Sequence, residues 1–439
     1  MKQLLEDKRK AIAWASLLFS LLVFRTIYGL FSEFWFADEL QVYLLGLKYF
    51  TTGLWPYFGP DVVYSKSQIP GALQGLLVGV PFFVCPLPEA PAIFLNLLSF
   101  SSLASLAWYL TRRFAELPRW FIWIWTLTCP WAMVYSTRVV NPSYMLPFAI
   151  FFFLAIFEIY PIYREKIIPE RIAFFFVGLS IAAVMQLHMS WVLMIPMALA
   201  GFFFQYRRDR GRLFAVAAYC LLGALIGFST LIPTFIVHGI GGTGGVERNV
   251  VINSAHLADI VLILPRFLFF AAFQIHYMIP GGSWADLMRD HRWLLPFAAL
   301  LEGVGWMQVA FFFICLFLPD RSPEWNRTRW FTILAVAMIH VSFLFSIKEP
   351  SSHTMYLMFP LALFYSCHCY RRLMFGHIWR RRIIAGILVV GIIFHVGLAI
   401  DNYENRSLYK RRDLVENALT QKDYKLLGLR RADEWGHGY

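Results

Sequence analysis

Residues 70–86 read PGALQGLLVGVPFFVCP, an almost unbroken apolar run. A transmembrane helix needs about 20 such residues, so this run sits at the margin. Whether it crosses decides the face on which every later loop lies. The chain is 59% hydrophobic and only 15% charged, and its apolar residues come in repeated long runs, which makes it a polytopic membrane protein. Its net charge of +12 arises from short basic clusters between those runs. That is the positive-inside pattern and not a nucleic-acid surface.

The clusters settle the count. Lys8, Arg9 and Lys10 hold the N-terminus in the cytoplasm, and the first span, 11–31, is a retained anchor with no small-residue cleavage site. Arg112/Arg113/Arg119, Arg164/Lys166/Arg171 and Arg207/Arg208/Arg210/Arg212 mark further cytoplasmic loops. Residues 119–136 and 142–163 then form one hairpin around STRVVNP, and 170–206 forms a second around QLHMS. Residues 92–110 must run inward, so 70–86 does not cross. It belongs to a large outer loop, 32–91, carrying juxtamembrane helices. The same logic keeps 256–276 (HLADIVLILPRFLFFAAFQIH) on the outer face, because a crossing there would put PDRSPEWNRTR and RRLMFGHIWRRR outside. With spans at 213–237, 293–318, 330–347, 354–370 and 383–400, the expectation is an all-α fold of about eleven spans. Residues 1–237 form a first module. Residues 238–400 form a second, with an outer loop at 238–292, and 401–439 is a short outer tail.

Polar residues then collect on one face. The first outer loop holds Asp38, Glu39, Lys48, Tyr64 and Lys66; later outer segments hold Arg138, Asn141, Gln186, His188, His238, Arg248, Lys348, His353 and Tyr356. Carboxylates and cations converging there can deprotonate a nucleophile and stabilise an anionic leaving group. Each also has a plainer use. Acids in a first turn complement the helix dipole, Arg138 can hold a lipid phosphate, His188 can be an interfacial histidine, and Arg25 can snorkel. Asp38 and Glu39 open a stripe of Leu40, Tyr43, Leu44 and Leu47 at helical spacing. GIGGTGG has no preceding strand and no following lysine, so it reads as a loop and not a phosphate cradle. Cys367, His368 and Cys369 alternate on a helix, which does not place them on one face.

The order of these residues resembles the C-type glycosyltransferases, above all the protein O-mannosyltransferase and lipid A aminoarabinose transferase branches. ADELQVYLLGLKYFTTGLWPYFGP after a first span matches the Asp-Glu, the following Tyr and the Gly-x-x-Pro-like turn at Asp38, Glu39, Tyr43, Gly53 and Pro56. YSKSQIPGALQGLLVGV matches the Lys-Pro-Pro-like start of a juxtamembrane helix through Lys66 and Pro70. Arg138 matches in the second outer loop, but Asn141 stands where the family has an acid, so a metal site shared by two outer loops is not supported. SSHTMYLMFPLALFY resembles the family's late Tyr-leading helix.

The resemblance implies a large first outer loop with juxtamembrane helices, as parity requires. It also implies transfer of a sugar from a polyprenyl-phosphate donor to a glycan, lipid or protein acceptor. The expected setting is the outer, periplasmic face of a bacterial inner membrane, among membrane lipids and without nucleic acid. Asp38 is then expected to be the base, with Glu39 positioning Asp38 or the acceptor. Lys66, Arg138, Lys348 and His353 would surround the phosphate, and Tyr43, Tyr64, His188 and Tyr356 would position substrate. No cofactor is legible, and the sequence supports no divalent-metal site. The rival is a transporter or lipid flippase, which needs polar residues along a path through the midplane and a two-fold repeat of broken helices.

Overall fold

The computed structural model describes residues 2–32, 37–62, 67–239, 246–275, 284–318, 322–374, 377–405 and 411–427. It is helical apart from one small hairpin. Helix α1 (Lys2–Phe31) is followed by α2 (Ala37–Thr52), strands β1 (Phe58–Val62) and β2 (Ser67–Pro70), and α3 (Leu73–Val84). The bundle continues with α4 (Ala90–Arg113), α5 (Arg119–Thr128), α6 (Pro130–Thr137), α7 (Asn141–Ile159), α8 (Glu170–Met185), α9 (Ile195–Arg208) and α10 (Leu213–Phe228). Then come α11 (Ile232–His238), α12 (Ile260–Phe269), α13 (Trp284–Asp290), α14 (Leu295–Phe317), α15 (Pro323–Phe343), α16 (Ser352–Met355), α17 (Phe359–Met374), α18 (Ile378–Asn405) and α19 (Arg412–Thr420). Seven helical stretches among the described residues are long and apolar enough to cross a bilayer unaided. The other expected spans correspond to α5 with α6, α8, α15 and α17, which are kinked, shorter or charged at one end.

Helix α3 has 12 residues, too short to cross, and packs against α2. Val42, Tyr43 and Leu47 of α2 meet Val78 and Phe82 of α3 in a buried cluster, where each fully buried side chain contributes about 1.5–3 kcal/mol. Gly46 lets the two backbones close: a Cβ there would stand 2.6 Å from the Gly79 amide. The hairpin pairs Phe58 with Pro70 and Asp61 with Gln68. It is fixed to the ends of α10 and α11, where the Thr234 hydroxyl donates to the Tyr57 carbonyl (2.7 Å).

Arg25 is fully buried and does not snorkel. Pro130 breaks the ladder between α5 and α6, and the freed Leu127 carbonyl accepts from the Arg25 guanidinium at 2.5 Å, beside the Ser136 hydroxyl (2.5 Å). A charged donor on a freed carbonyl is worth about 1.5–3 kcal/mol, so the arginine ties α1 to the kink. At the basic end, Glu158 accepts from Tyr109 (2.7 Å) and Arg113 (2.5 Å), locking α4 to α7.

Segment 256–276 departs from expectation. Its described part, through Ile275, does not cross, but neither does it lie on the outer face. The Phe273 amide donates to Gln308 Oε1 (2.7 Å) well along α14, and its ring packs on Trp125 of α5 (centroids 4.9 Å). Helix α12 therefore dips into the bundle against α14, α15 and α17. The chain regains the end of the bundle that carries the first loop by α13, since His291 lies 3.0 Å from Asp401 near the end of α18. The physical reason is that LILPRFLFFAAF carries a single charged residue, Arg266, too little to form the polar face an interfacial helix turns toward water.

The tail folds back on the first loop. Val415, Ala418, Leu419 and Tyr424 complete the α2–α3 cluster, and Arg412 pairs with Glu89 at 2.7 Å. The loop and the tail share one face, as an even number of crossings between them requires. Cys85 is the exposed native cysteine among those described. An impermeant maleimide applied to intact cells should label Cys85, and also the thiol introduced by Lys422→Cys. Labelling of the two from opposite sides of the membrane would contradict this topology.

Candidate active site

Four irregular segments at the loop end of the bundle meet the first turn of α2. That turn brings Asp38, exposed, and Glu39, half-buried. β1 brings Asp61, whose Oδ1 accepts from Gln68 Nε2 across the hairpin (2.8 Å). The 3-10 turn Met189–Met194 follows His188, whose Nδ1 accepts from the Ser190 amide at 3.1 Å. The Ser190 hydroxyl donates to the Thr354 carbonyl (2.8 Å), joining this turn to α16. The segment before α16 brings Lys348, and α16 itself brings His353. A Ser351–Thr354 capping box fixes α16, with the Ser351 amide donating to Thr354 Oγ1 at 3.0 Å.

These groups line one cavity of about 130 Å³, shared by Asp38, Gln41, Asp61, Asn141, His188, Lys348, His353 and Thr354. A more apolar lobe of about 100 Å³ adjoins it past Lys348, Met189 and Thr354. Lys348 Nζ stands 2.5 Å from His353 Nε2, and the His353 and His188 rings lie 6.4 Å apart. Burial lowers the His353 pKa to about 4, with the Lys348 and Arg266 charges adding to the shift. Burial, then His353 and Lys348, lowers His188 to about 3. Both rings are therefore neutral at pH 7, and His353 Nε2 accepts a hydrogen bond from the Lys348 ammonium. Burial also lowers the Lys348 pKa, while the charge of Asp38 opposes that shift. Burial raises the Glu39 carboxyl; its own backbone bond and Arg138 oppose this, and Asp38 adds to it.

The expected residues thus divide. Asp38, His188, Lys348 and His353 share the cavity, while Glu39 feels Arg138 beside it. Tyr43 is buried behind α2, donating to the Pro88 carbonyl (2.9 Å) and set edge-on to Phe82. Tyr356 is buried beneath the site and donates to the Trp131 carbonyl (3.1 Å). Neither tyrosine lines the cavity. Tyr64 and Lys66 lie outside the described residues. Asp61, Gln41 and Thr354 are lining residues that sequence reasoning did not single out. The signal for Asp61 was a lone acid between two prolines in a short alternating stretch. Among the described residues no three His, Cys, Asp or Glu side chains gather as a metal site.

No protein-family model and no curated protein sequence matches this chain. Among solved structures it is similar to ArnT from Cupriavidus metallidurans, in a crystal structure bound to undecaprenyl phosphate. The match covers 95% of this chain and 76% of that one, at 12% identity and a TM-score of 0.50. The likeness is one of fold, an all-α polytopic membrane architecture shared with that protein.

The histidines give the site a pH signature. Each is neutral in the fold but titrates from 6.5 when unfolded, so the unfolded state takes up protons first on acidification. Their contribution is intact above pH 6.5 and is lost as pH falls toward 4 and then 3. Thermal unfolding in detergent should show a loss of roughly 2 kcal/mol per histidine between pH 7 and pH 5. His188→Asn should flatten that slope, and an unchanged slope would contradict the buried, neutral assignment.

Proposed function

We propose that this chain is an integral membrane glycosyltransferase that moves a sugar from a polyprenyl-phosphate donor to an envelope acceptor. Its cavity would open on the outer face of the plasma membrane, and the acceptor would be a glycan, lipid or protein. One observation carries the reading. A carboxylate, Asp38, and a half-buried cation, Lys348, meet in one cavity at the loop end of a C-type glycosyltransferase fold.

In this reading Asp38 takes the proton of the acceptor hydroxyl or amine, and the freed lone pair attacks the anomeric carbon. The bond from that carbon to the phosphate oxygen breaks on the opposite side, inverting the centre. The bonding pair leaves on the phosphate. A phosphate leaving group needs charge stabilisation more than a proton. Lys348 supplies that charge, with Arg138 and, from sequence position alone, Lys66. Neutral His353 accepts from Lys348 and so aims the ammonium without adding a competing charge. Glu39, whose carboxyl feels the charges of both Arg138 and Asp38, positions the base. Asp61 is proposed as a second acid toward the acceptor.

A helix-dipole role for Asp38 would be worth at most about 1 kcal/mol of stability, whereas general-base catalysis is worth about 10²–10⁴ in rate. Purified Asp38→Asn should melt with the wild type yet lose turnover of a lipid-linked sugar by that factor. Lys348→Ala should lose about 1.5–3 kcal/mol of transition-state stabilisation. Near-normal turnover in Asp38→Asn would return the pair to a capping role.

A further inference from the structure

Apart from this site lies a larger cavity that the proposed reaction does not use. It measures about 390 Å³ and is walled by α5, α14, α17 and α18 through Trp125, Phe311, Ile384 and Leu388, with Phe273 of the re-entrant segment as its roof. Its amide neighbours are engaged, and among the described residues Trp125 Nε1 is a single buried donor on the lining that has no partner. Gln308 Nε2 donates to the Tyr370 hydroxyl (2.5 Å) and Gln308 Oε1 accepts from the Phe273 amide (2.7 Å). One donor cannot hold a water, which needs two to four polar partners, so a space this apolar stays dry and suits a hydrocarbon ligand.

The mouth carries a charge of defined sign. Arg380 lines it, followed on α18 by Arg381 and Arg382, and among the described residues no carboxylate pairs with any of these three. Arg380 donates to the Leu373 carbonyl, at 3.3 Å, at the end of α17. Trp379 beside it is 70% exposed, in the manner of an interfacial anchor. An apolar chamber with an unpaired cationic rim fits an amphiphile with a hydrocarbon chain and an anionic head.

We propose that this cavity is a binding site for an anionic phospholipid of the cytoplasmic leaflet, with one acyl chain beneath Phe273 and the phosphate on Arg380. The rim lies at the opposite end of α18 from Asp401, about 30 Å away at the helical rise. The lipid would therefore enter from the leaflet opposite the Asp38 cavity and would be distinct from the glycosyl donor. A chain in this position supports the roof of the segment that carries Arg266, whose charge is felt at His353.

Native mass spectrometry of the protein released from nanodiscs of equal phosphatidylglycerol and phosphatidylethanolamine reads the site without reference to activity. Failure here would leave the transferase reading untouched. Wild type should retain phosphatidylglycerol preferentially. Arg380→Glu, an exposed substitution, should lower that retention at least about fivefold, the weight of one basic residue at an anionic surface. Ile387→Trp, which fills the cavity, should lower it whatever the headgroup, and Arg380→Gln should fall between Arg380→Glu and wild type. Equal retention of both lipids, unchanged retention in Arg380→Glu and Ile387→Trp, or a polyprenyl phosphate as the bound species would overturn the proposal.

Discussion

Helix α3 is 12 residues long, which at the helical rise is about 18 Å, and a bilayer's hydrocarbon core is about 30 Å thick. It cannot cross, and the arrangement of the chain follows from that. Because α3 stays on one face, α2 stays with it, and the glycine contact at Gly46 and Gly79 lets the pair pack as one unit. The hairpin and the returning tail then build on this unit. Tyr424 sits over the Lys48 ammonium (5.6 Å), and Leu419 joins the cluster that holds Val42 and Tyr43. The helix that presents Asp38 is thus held from behind by the far end of the chain.

The bilayer also explains why the polar groups meet where they do. Backbone within the hydrocarbon must satisfy itself, so irregular segments are confined to helix ends or buried inside protein. The turn at Met189–Met194 and the stretch from Leu344 to Ser351 are such ends, and between them they deliver His188, Lys348 and His353 to one cavity. The α12 segment is the buried case, its exposed backbone met by Gln308. Neutral histidines beside Lys348 add no competing charge, and the lysine shares the cavity with Asp38.

Much of this was legible in the sequence, because basic clusters and run lengths respond to the bilayer and not to tertiary detail. They placed 70–86 outside the span count, and Asp38, His188, Lys348 and His353 on one face. What escaped depended on partners. Arg25 looked able to snorkel because nothing local reveals that the Pro130 break supplies a carbonyl acceptor. Segment 256–276 met the parity rule, yet parity is blind to how deep a non-crossing segment dips. Tyr43 was read as a site residue by resemblance, although its place on the stripe with Leu40, Leu44 and Leu47 already pointed to burial. Asp61 needed the hairpin register with Gln68 to bring it to the cavity, and no periodicity encodes that.

The central claim is that a lipid-linked sugar is consumed at this cavity. The most direct measurement supplies purified protein in liposomes with a polyprenyl-phosphate sugar and an envelope extract, free of nucleotide sugars, and follows the donor by mass spectrometry. The account predicts loss of the glycosylated lipid, stoichiometric release of free polyprenyl phosphate and an acceptor heavier by one sugar. Donor that crosses the membrane or stays bound while remaining chemically intact would contradict it and leave a transporter in its place.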